Sequence, residues 1–97
     1  MNPLVSIVIP AWNKDANSSA LCDAAIRSIA REVHAAYELI IVDNGSSVKG
    51  FHTSIAAVPD GKIIALERNV GFGPAVNIGF GQAKAPFLCQ MNWVWLL

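Results

Sequence analysis

The sequence predicts an α/β fold, with a mostly parallel sheet of about four strands and flanking helices. Three observations carry that reading. Four short apolar runs recur along the 97 residues: Leu4–Ile9, Glu38–Val42, Lys62–Leu66 and Phe87–Met91. Helix-compatible segments or turn residues separate them. The runs are rich in Ile and Val with little polar alternation, which suits strands covered on both faces. Strand–helix alternation at this spacing builds βαβ units and hence a parallel sheet.

In chain order, the first strand is LVSIVI, and Pro10 is expected to end it. Ser18 or Ser19 is expected to cap a helix, because a serine oxygen accepts an orphan backbone N–H. Leu21, Ala25, Ile29 and Val33 then recur every four residues and form one helical stripe, with Arg27, Arg31 and Glu32 largely off it. ELIIV is the second strand, and Val48–Val58 reads as a weak helix. KIIAL is the third strand. Gly73-Pro74 opens a further helix, since proline suits the first helical turn, while Gly79 and Gly81 weaken its end. FLCQM is the fourth strand.

Composition sets the outer limits. The length suits a single domain over residues 1–97. Apolar residues make up 54% and charged residues 14%, which argues for a packed core and against disorder. A formal net charge of +0, with no basic face, gives no reason to expect nucleic acid as a partner. Cys22 and Cys89 lie far apart with no CxxC or CxxH neighbour, so reduced thiols and no zinc site are expected. The start, Met1-Asn2-Pro3, lacks a signal-peptide pattern, and no apolar run approaches the roughly 18 residues of a membrane span. A cytoplasmic setting is therefore expected. The apolar end, Trp93–Leu97, suggests buried contacts, a partner surface or missing chain.

In open parallel sheets a ligand binds beyond the carboxyl ends of the strands. That rule selects Pro10–Asn13, Asp43–Ser47, Arg68–Gly73 and Asn92. Asp43 is able to accept a hydrogen bond from the imide of a pyrimidine ring; equally, Asp43 and Asn44 make a turn and cap the segment after it. Glycines in the stretch Asn69–Asn77 let backbone approach a ligand, and the helix start favours anions. A dinucleotide fingerprint is not met, because Val76 stands at its third glycine and the segment comes after the third strand; a P-loop is excluded by the lack of GK[ST]. Asn77 either touches a ligand or bonds the nearby loop. Arg68 either meets a phosphate or base carbonyl, or is a solvated cation or a partner of Glu67 or Asp43. Lys14, Asp15, His34 and His52 form no constellation, and no catalytic Ser/His/Asp or Cys/His set is evident.

Taken together, VSIVIPAWN (Val5–Asn13), ELIIVDNGSS (Glu38–Ser47) and ERNVGFGPAVNIGF (Glu67–Phe80) resemble family 2 glycosyltransferases of the GT-A fold. They are most similar to the branch of bacterial rhamnosyltransferases and other cell-surface polysaccharide enzymes. The resemblance implies a Rossmann-like half-domain that binds a UDP- or dTDP-sugar. It implies that Pro10, Ala11, Trp12 and Asn13 pack against the nucleobase, and that Asp43 holds the base, with Asn44 and Gly45 in the same turn. The N-x-G-x-[GA]-x-[GA]-x-N segment, matched by Asn69, Gly71, Gly73, Ala75 and Asn77 with Arg68 just before it, borders the sugar diphosphate.

The family's reaction is usually a single displacement with inversion, and it needs a divalent cation and a general base. Here the chain departs from the pattern. Asn92 fits the first position of an N-x-D motif, but Val94 stands where the metal-binding aspartate is expected, and valine does not ligate a hard cation. The resemblance therefore implies a truncated donor-binding fragment of a hexosyltransferase-type enzyme. It carries no catalytic base and no metal ligand, is inactive alone, and works in the cytoplasm or at the inner face of the membrane. The second reading is a non-catalytic interaction module that oligomerises through its apolar C-terminus and open sheet edge. A flavodoxin-like receiver fits less well, because Asp43 has no second carboxylate near Ile9–Pro10.

Overall fold

The computed structural model describes residues 2–48 and 54–92. Its elements are β1 (Val5–Ala11), α1 (Ala16–Glu32), β2 (Tyr37–Asn44), a 3-10 turn (Ser54–Ala57), β3 (Gly61–Leu66), α2 (Phe72–Gly81) and β4 (Phe87–Gln90). The four strands form one parallel sheet in the order β3-β2-β1-β4. The α/β class and the four strands are as the sequence predicts. The two runs densest in Ile and Val take the central places, and β2 is buried at every position after Tyr37.

Strand ends differ from the sequence reading, and the differences matter for the site. Pro10 does not end β1, which runs on to Ala11. The Val8 carbonyl accepts from Met91 N–H on the β4 side, and Val8↔Gln90 is the last pair of that ladder. Pro10 lies two residues on, so its missing N–H falls on the same side, past the ladder's end, and no sheet bond is lost. β2 likewise continues through Asp43 and Asn44, which pair with Ala65 and Leu66. Of the weak helix expected over Val48–Val58, residues 49–53 lie outside the described residues, and the rest forms only the single turn Ser54–Ala57.

Side chains alternate across the sheet. Ile7, Ile9 and Ala11 with Leu39 and Ile41 pack under Cys22, Ala25, Ile26 and Ile29 of α1. Val8, Ile40 and Val42 pack on the other face against Ala75 of α2. The predicted α1 stripe is thus real, widened by Cys22 and Ile26. Its cap is neither Ser18 nor Ser19. Asp15 caps the helix, with its Oδ1 accepting from Ser18 N–H at 2.8 Å and from the Ser18 hydroxyl at 2.7 Å. A carboxylate accepts both bonds at once, which outcompetes a serine oxygen.

Gly79 makes α2 possible rather than merely weakening it. It is buried against the sheet, and a Cβ there would run into the Val8 side chain and lie 3.0 Å from Val42 Cγ2. The helix seats on β1 and β2 because that position has no side chain.

Candidate functional site

Three turns leave the carboxyl ends of β1, β2 and β3 and are bolted to one another. Asn44, the last residue of β2, faces the α2 side. Its side-chain amide does the work of a strand neighbour: Oδ1 accepts from Val70 N–H at 2.8 Å, and Nδ2 donates to the Gly71 carbonyl at 3.1 Å. This pins the loop after β3 to the end of β2. Gly45 comes next with φ +76°, and a Cβ on it would lie 2.5 Å from Asn69 N and 2.6 Å from the Arg68 carbonyl carbon. The β2 turn therefore rests directly on the backbone of the β3 loop, a contact only glycine permits.

Ser46 ties in the third turn. Its hydroxyl accepts from Asn13 N–H at 2.8 Å and donates to the Ala11 carbonyl at 3.4 Å. Ser47 and Val48 N–H both donate to the Asn13 carbonyl, at 3.0 and 3.2 Å.

Between these turns lies a cleft of about 250 Å³ lined by Pro10, Ala11, Trp12, Asn44, Asn69 and Phe72. Trp12 and Phe72 are 48% and 56% exposed, so two aromatic faces stand largely open. Lys14 Nζ sits 4.6 Å from the centre of the Trp12 ring, within cation–π range. Asn69 Oδ1 accepts from Gly71 N–H at 2.8 Å, which shapes the turn into α2. Gly71 caps α2 at φ +93° with no side-chain bond to the helix start. A second hollow, of about 220 Å³, opens at the opposite end of the sheet beside Pro3, Tyr37 and Asp60.

The remaining residues singled out by sequence fall around this cleft rather than in it. Asp43 is fully buried. It comes after Leu39 and Ile41 at the strand's two-residue period, so it faces α1, and its Oδ1 accepts from Ser46 N–H at 2.9 Å. Asn13 is fully buried too, and among the described residues its side-chain amide has no hydrogen-bond partner. Gly45 is packed under the β3 loop as described. Arg68 and Gly73 are exposed at the rim, and nothing lies within 4 Å of a Cβ built on Gly73. Asn77 is exposed on α2, one to two turns beyond the helix start. Asn92 is half-buried just past β4.

Reasoning from sequence gave no individual role to Phe72 and Ser46, although both fall inside the rim segments it selected, and it set Lys14 aside. Phe72 had a signal, an aromatic residue at the first helical position of a glycine-rich turn. Ser46 had one as well, since Asp with Ser three residues later is a side-chain-closed turn. Lys14 had none, because its role depends on where Trp12 points.

Two chemistries find no support in these side chains. Burial pushes the Cys22 thiol up to about 11, so it is a protonated core residue. Among the described residues no three His, Cys, Asp or Glu side chains gather as metal ligands, and none of the residues lining the cleft carries a carboxylate. Val94 lies outside the described residues. No helix among the described residues is long and apolar enough to cross a membrane.

With this geometry in place, comparison with known proteins is informative. The sequence profile of Glycosyl transferase family 2 matches residues 6–96. An undecaprenyl-phosphate 4-deoxy-4-formamido-L-arabinose transferase of Yersinia pestis (strain Pestoides F) is 37% identical over 92 residues, covering 91% of this chain and 28% of that protein. The protein of the same name from Yersinia pseudotuberculosis serotype O:3 (strain YPIII) matches to the same extent. Among solved structures, S. aureus TarS 1-349 superposes with a TM-score of 0.65 at 21% identity, over 96% of this chain and 27% of that one. Its complex with UDP-GlcNAc superposes equally well, over 26% of that chain. The chain thus spans about 28% of the length of the curated relatives it matches.

Proposed function

We propose that this chain, which belongs to glycosyl transferase family 2, binds the nucleotide part of a UDP- or dTDP-sugar at the rim of its sheet, as the donor-binding part of a sugar-transfer reaction. The observation that carries the reading is the cleft between Trp12, Phe72 and the Asn44–Asn69 pair. Its open aromatic faces suit a flat heterocycle, and base–aromatic stacking is sequence-tolerant and strong, about 1–3 kcal/mol per base. At about 250 Å³ it is smaller than most whole-ligand pockets, which run from roughly 300 to 1,000 Å³. The base fits inside, and the diphosphate and sugar extend out past the start of α2, whose first N–H groups favour anions. In this reading Asp43 acts from behind, by fixing the turn that presents Asn44, rather than by holding the base itself.

The same cleft explains why the chain's own part is binding and orientation. Transfer breaks the bond between the anomeric carbon and the diphosphate as an acceptor hydroxyl attacks, and it needs a base on that hydroxyl. The described residues supply a rim for the leaving nucleotide but no carboxylate or imidazole facing the cleft. The Yersinia relatives are named for transfer to undecaprenyl phosphate. A lipid-linked acceptor of that class fits a protein working at the inner face of a membrane.

Calorimetry with UDP, dTDP and GDP tests the proposal. UDP or dTDP is expected to bind more tightly than GDP, and Trp12→Ala is expected to weaken that binding roughly 10-fold by removing the stacking surface. No binding of any nucleotide by folded protein would refute it.

A further inference from the structure

The sheet has two edges, β3 and β4, and they are built differently. β3 carries Lys62, and a lysine on an edge strand discourages pairing with another chain. The segment before β3 also packs over its start, since a Cβ on Gly61 would lie 2.9 Å from Ile55 Cδ1. β4 has neither device. Its residues Phe87–Gln90 include no charge and no proline, and they keep an unbroken register with β1. The nearest charge before it, Lys84, is paired with Asp60 at 3.4 Å. Leu4, Phe87 and Leu88 lie together at the start of β4 and are 51%, 63% and 52% exposed. α2 seats on β1 and β2 and leaves this flank bare.

The backbone of β4 shows which groups face outward. Phe87 N–H donates to the Leu4 carbonyl at 3.3 Å, and Met91 N–H donates to the Val8 carbonyl at 3.0 Å. Bonding direction alternates along a strand, so Leu88 and Gln90 turn their N–H and C=O away from β1. Cys89 lies between them, with its side chain on the α1 face beside Ile7 and Val5. The free groups are therefore symmetric about Cys89. Rotating a second copy by half a turn about an axis there, perpendicular to the sheet, sets Leu88 opposite the partner's Gln90 and Gln90 opposite the partner's Leu88. Each pair exchanges two backbone bonds. Every bonded residue in this register belongs to β4. Centring on Leu88 would bring in Pro86, which has no N–H, and centring on Gln90 would bring in Asn92, past the strand's end.

We infer that two copies of this chain join antiparallel through β4, centred on Cys89, into one eight-stranded sheet. A second copy is the occupant because the edge complements itself: a two-fold axis matches each outward donor to an outward acceptor and makes a closed, isologous contact. The operation keeps both α1 helices on one side and sets the exposed Leu88 side chains diagonally across the seam on the other. A strand without charges, on a chain of formal net charge +0, places no like charges across the seam. The pairing is small, so it is expected to be weak, with a dissociation constant on the order of micromolar.

Sedimentation of the full chain over a wide concentration range, with cross-linking, tests this. Wild type is expected to shift from monomer to dimer as concentration rises. Leu88→Lys, at an exposed position, is expected to weaken the dimer about 10-fold or more by adding a charge to the edge. Gln90→Pro is expected to do the same, because it removes an outward N–H and no bond to β1. Ile78→Lys, a charge added on exposed α2, is expected to leave dimerisation within about 2-fold of wild type. Diamide is expected to oxidise the two Cys89 thiols to an intermolecular disulfide, taking up their two electrons and two protons. Their Cα atoms, as a non-hydrogen-bonded pair about 4.5 Å apart, fall within the roughly 4.4–6.8 Å span of a disulfide. Cys89→Ser is expected to abolish the cross-link, since Cys22 is buried. A monomer at every concentration would overturn the inference and leave β4 to a segment of different sequence. A dimer indifferent to Leu88→Lys, or one whose cross-link survives Cys89→Ser, would overturn it by placing the contact elsewhere.

Discussion

Gly45→Val is expected to lower the folding free energy by about 3 kcal/mol or more and to abolish nucleotide binding in whatever fraction stays folded. Two costs add. A β-branched residue at φ +76° incurs backbone strain on the order of 1–3 kcal/mol. Its Cβ would also sit 2.5 Å from Asn69 N and 2.9 Å from Arg68 Cα, against backbone that has no rotamer to escape into. The β2 turn and the β3 loop must then separate. That breaks the Asn44 bonds to Val70 and Gly71 and opens the cleft wall. Urea denaturation measures the first effect, and UDP titration below the unfolding midpoint measures the second. Wild-type stability in this variant would mean that the two turns are not in contact.

Glu38→Ala is expected to cost about 3–5 kcal/mol, a large share of the roughly 5–15 kcal/mol available to a domain of this size. Glu38 is fully buried beneath the turn between α2 and β4. Its Oε2 accepts from the Ser6 hydroxyl at 2.5 Å and from Lys84 N–H at 2.7 Å, and Ala85 N–H donates to Ser6 Oγ at 3.1 Å. One carboxylate therefore fixes the entry into β4, an edge strand that is otherwise mostly exposed. Alanine leaves two donors, the Ser6 hydroxyl and the Lys84 N–H, without their acceptor; Glu38→Gln keeps the shape and is expected to cost only about 1–2 kcal/mol.

The same residue sets an acid sensitivity. Burial raises the Glu38 carboxyl, but the Lys84 N–H, the Ser6 hydroxyl and the Lys62 and Lys84 charges outweigh it and hold the folded value below the ordinary 4.5. A depressed folded value means that the charged form is the stabilising one. Its contribution is complete above the unfolded-chain value and is lost as pH falls through the lower folded value. Stability of the wild type should therefore decline as pH drops below about 4.5, and Glu38→Gln should flatten that part of the curve. A wild-type curve no steeper than the variant's would contradict the network.

Particular residues show how far the sequence carried. The Ile- and Val-dense runs announced a buried parallel sheet, because only strands covered on both faces tolerate such continuity. The carboxyl-edge rule selected the rim at which this cleft opens, and five of the six cleft-lining residues, Pro10, Ala11, Trp12, Asn44 and Asn69, were among those singled out. The hidden part depended on parity and on long-range contact. Asp43 and Asn44 look interchangeable in a turn sequence, yet one residue of difference sends them to opposite faces of the sheet. Pro10 reads as a strand breaker until the neighbouring ladder is known to stop two residues earlier. Gly79 reads as a weak helix former until Val8 is known to lie against it. Asp15 went unread as a cap because two nearby serines offered a more familiar one.

The central claim is that turns from β1, β2 and β3 form one nucleotide site at the carboxyl edge of the sheet. Amide chemical-shift mapping of the nitrogen-15-labelled protein during titration with UDP tests it most directly. The largest shifts are expected at Trp12, Gly45, Asn69, Gly71 and Phe72, with little change at Ala36, Tyr37 and Asp60 beside the hollow at the opposite end. Shifts centred on that opposite end, or split so that only one of the three turns responds, would contradict the account.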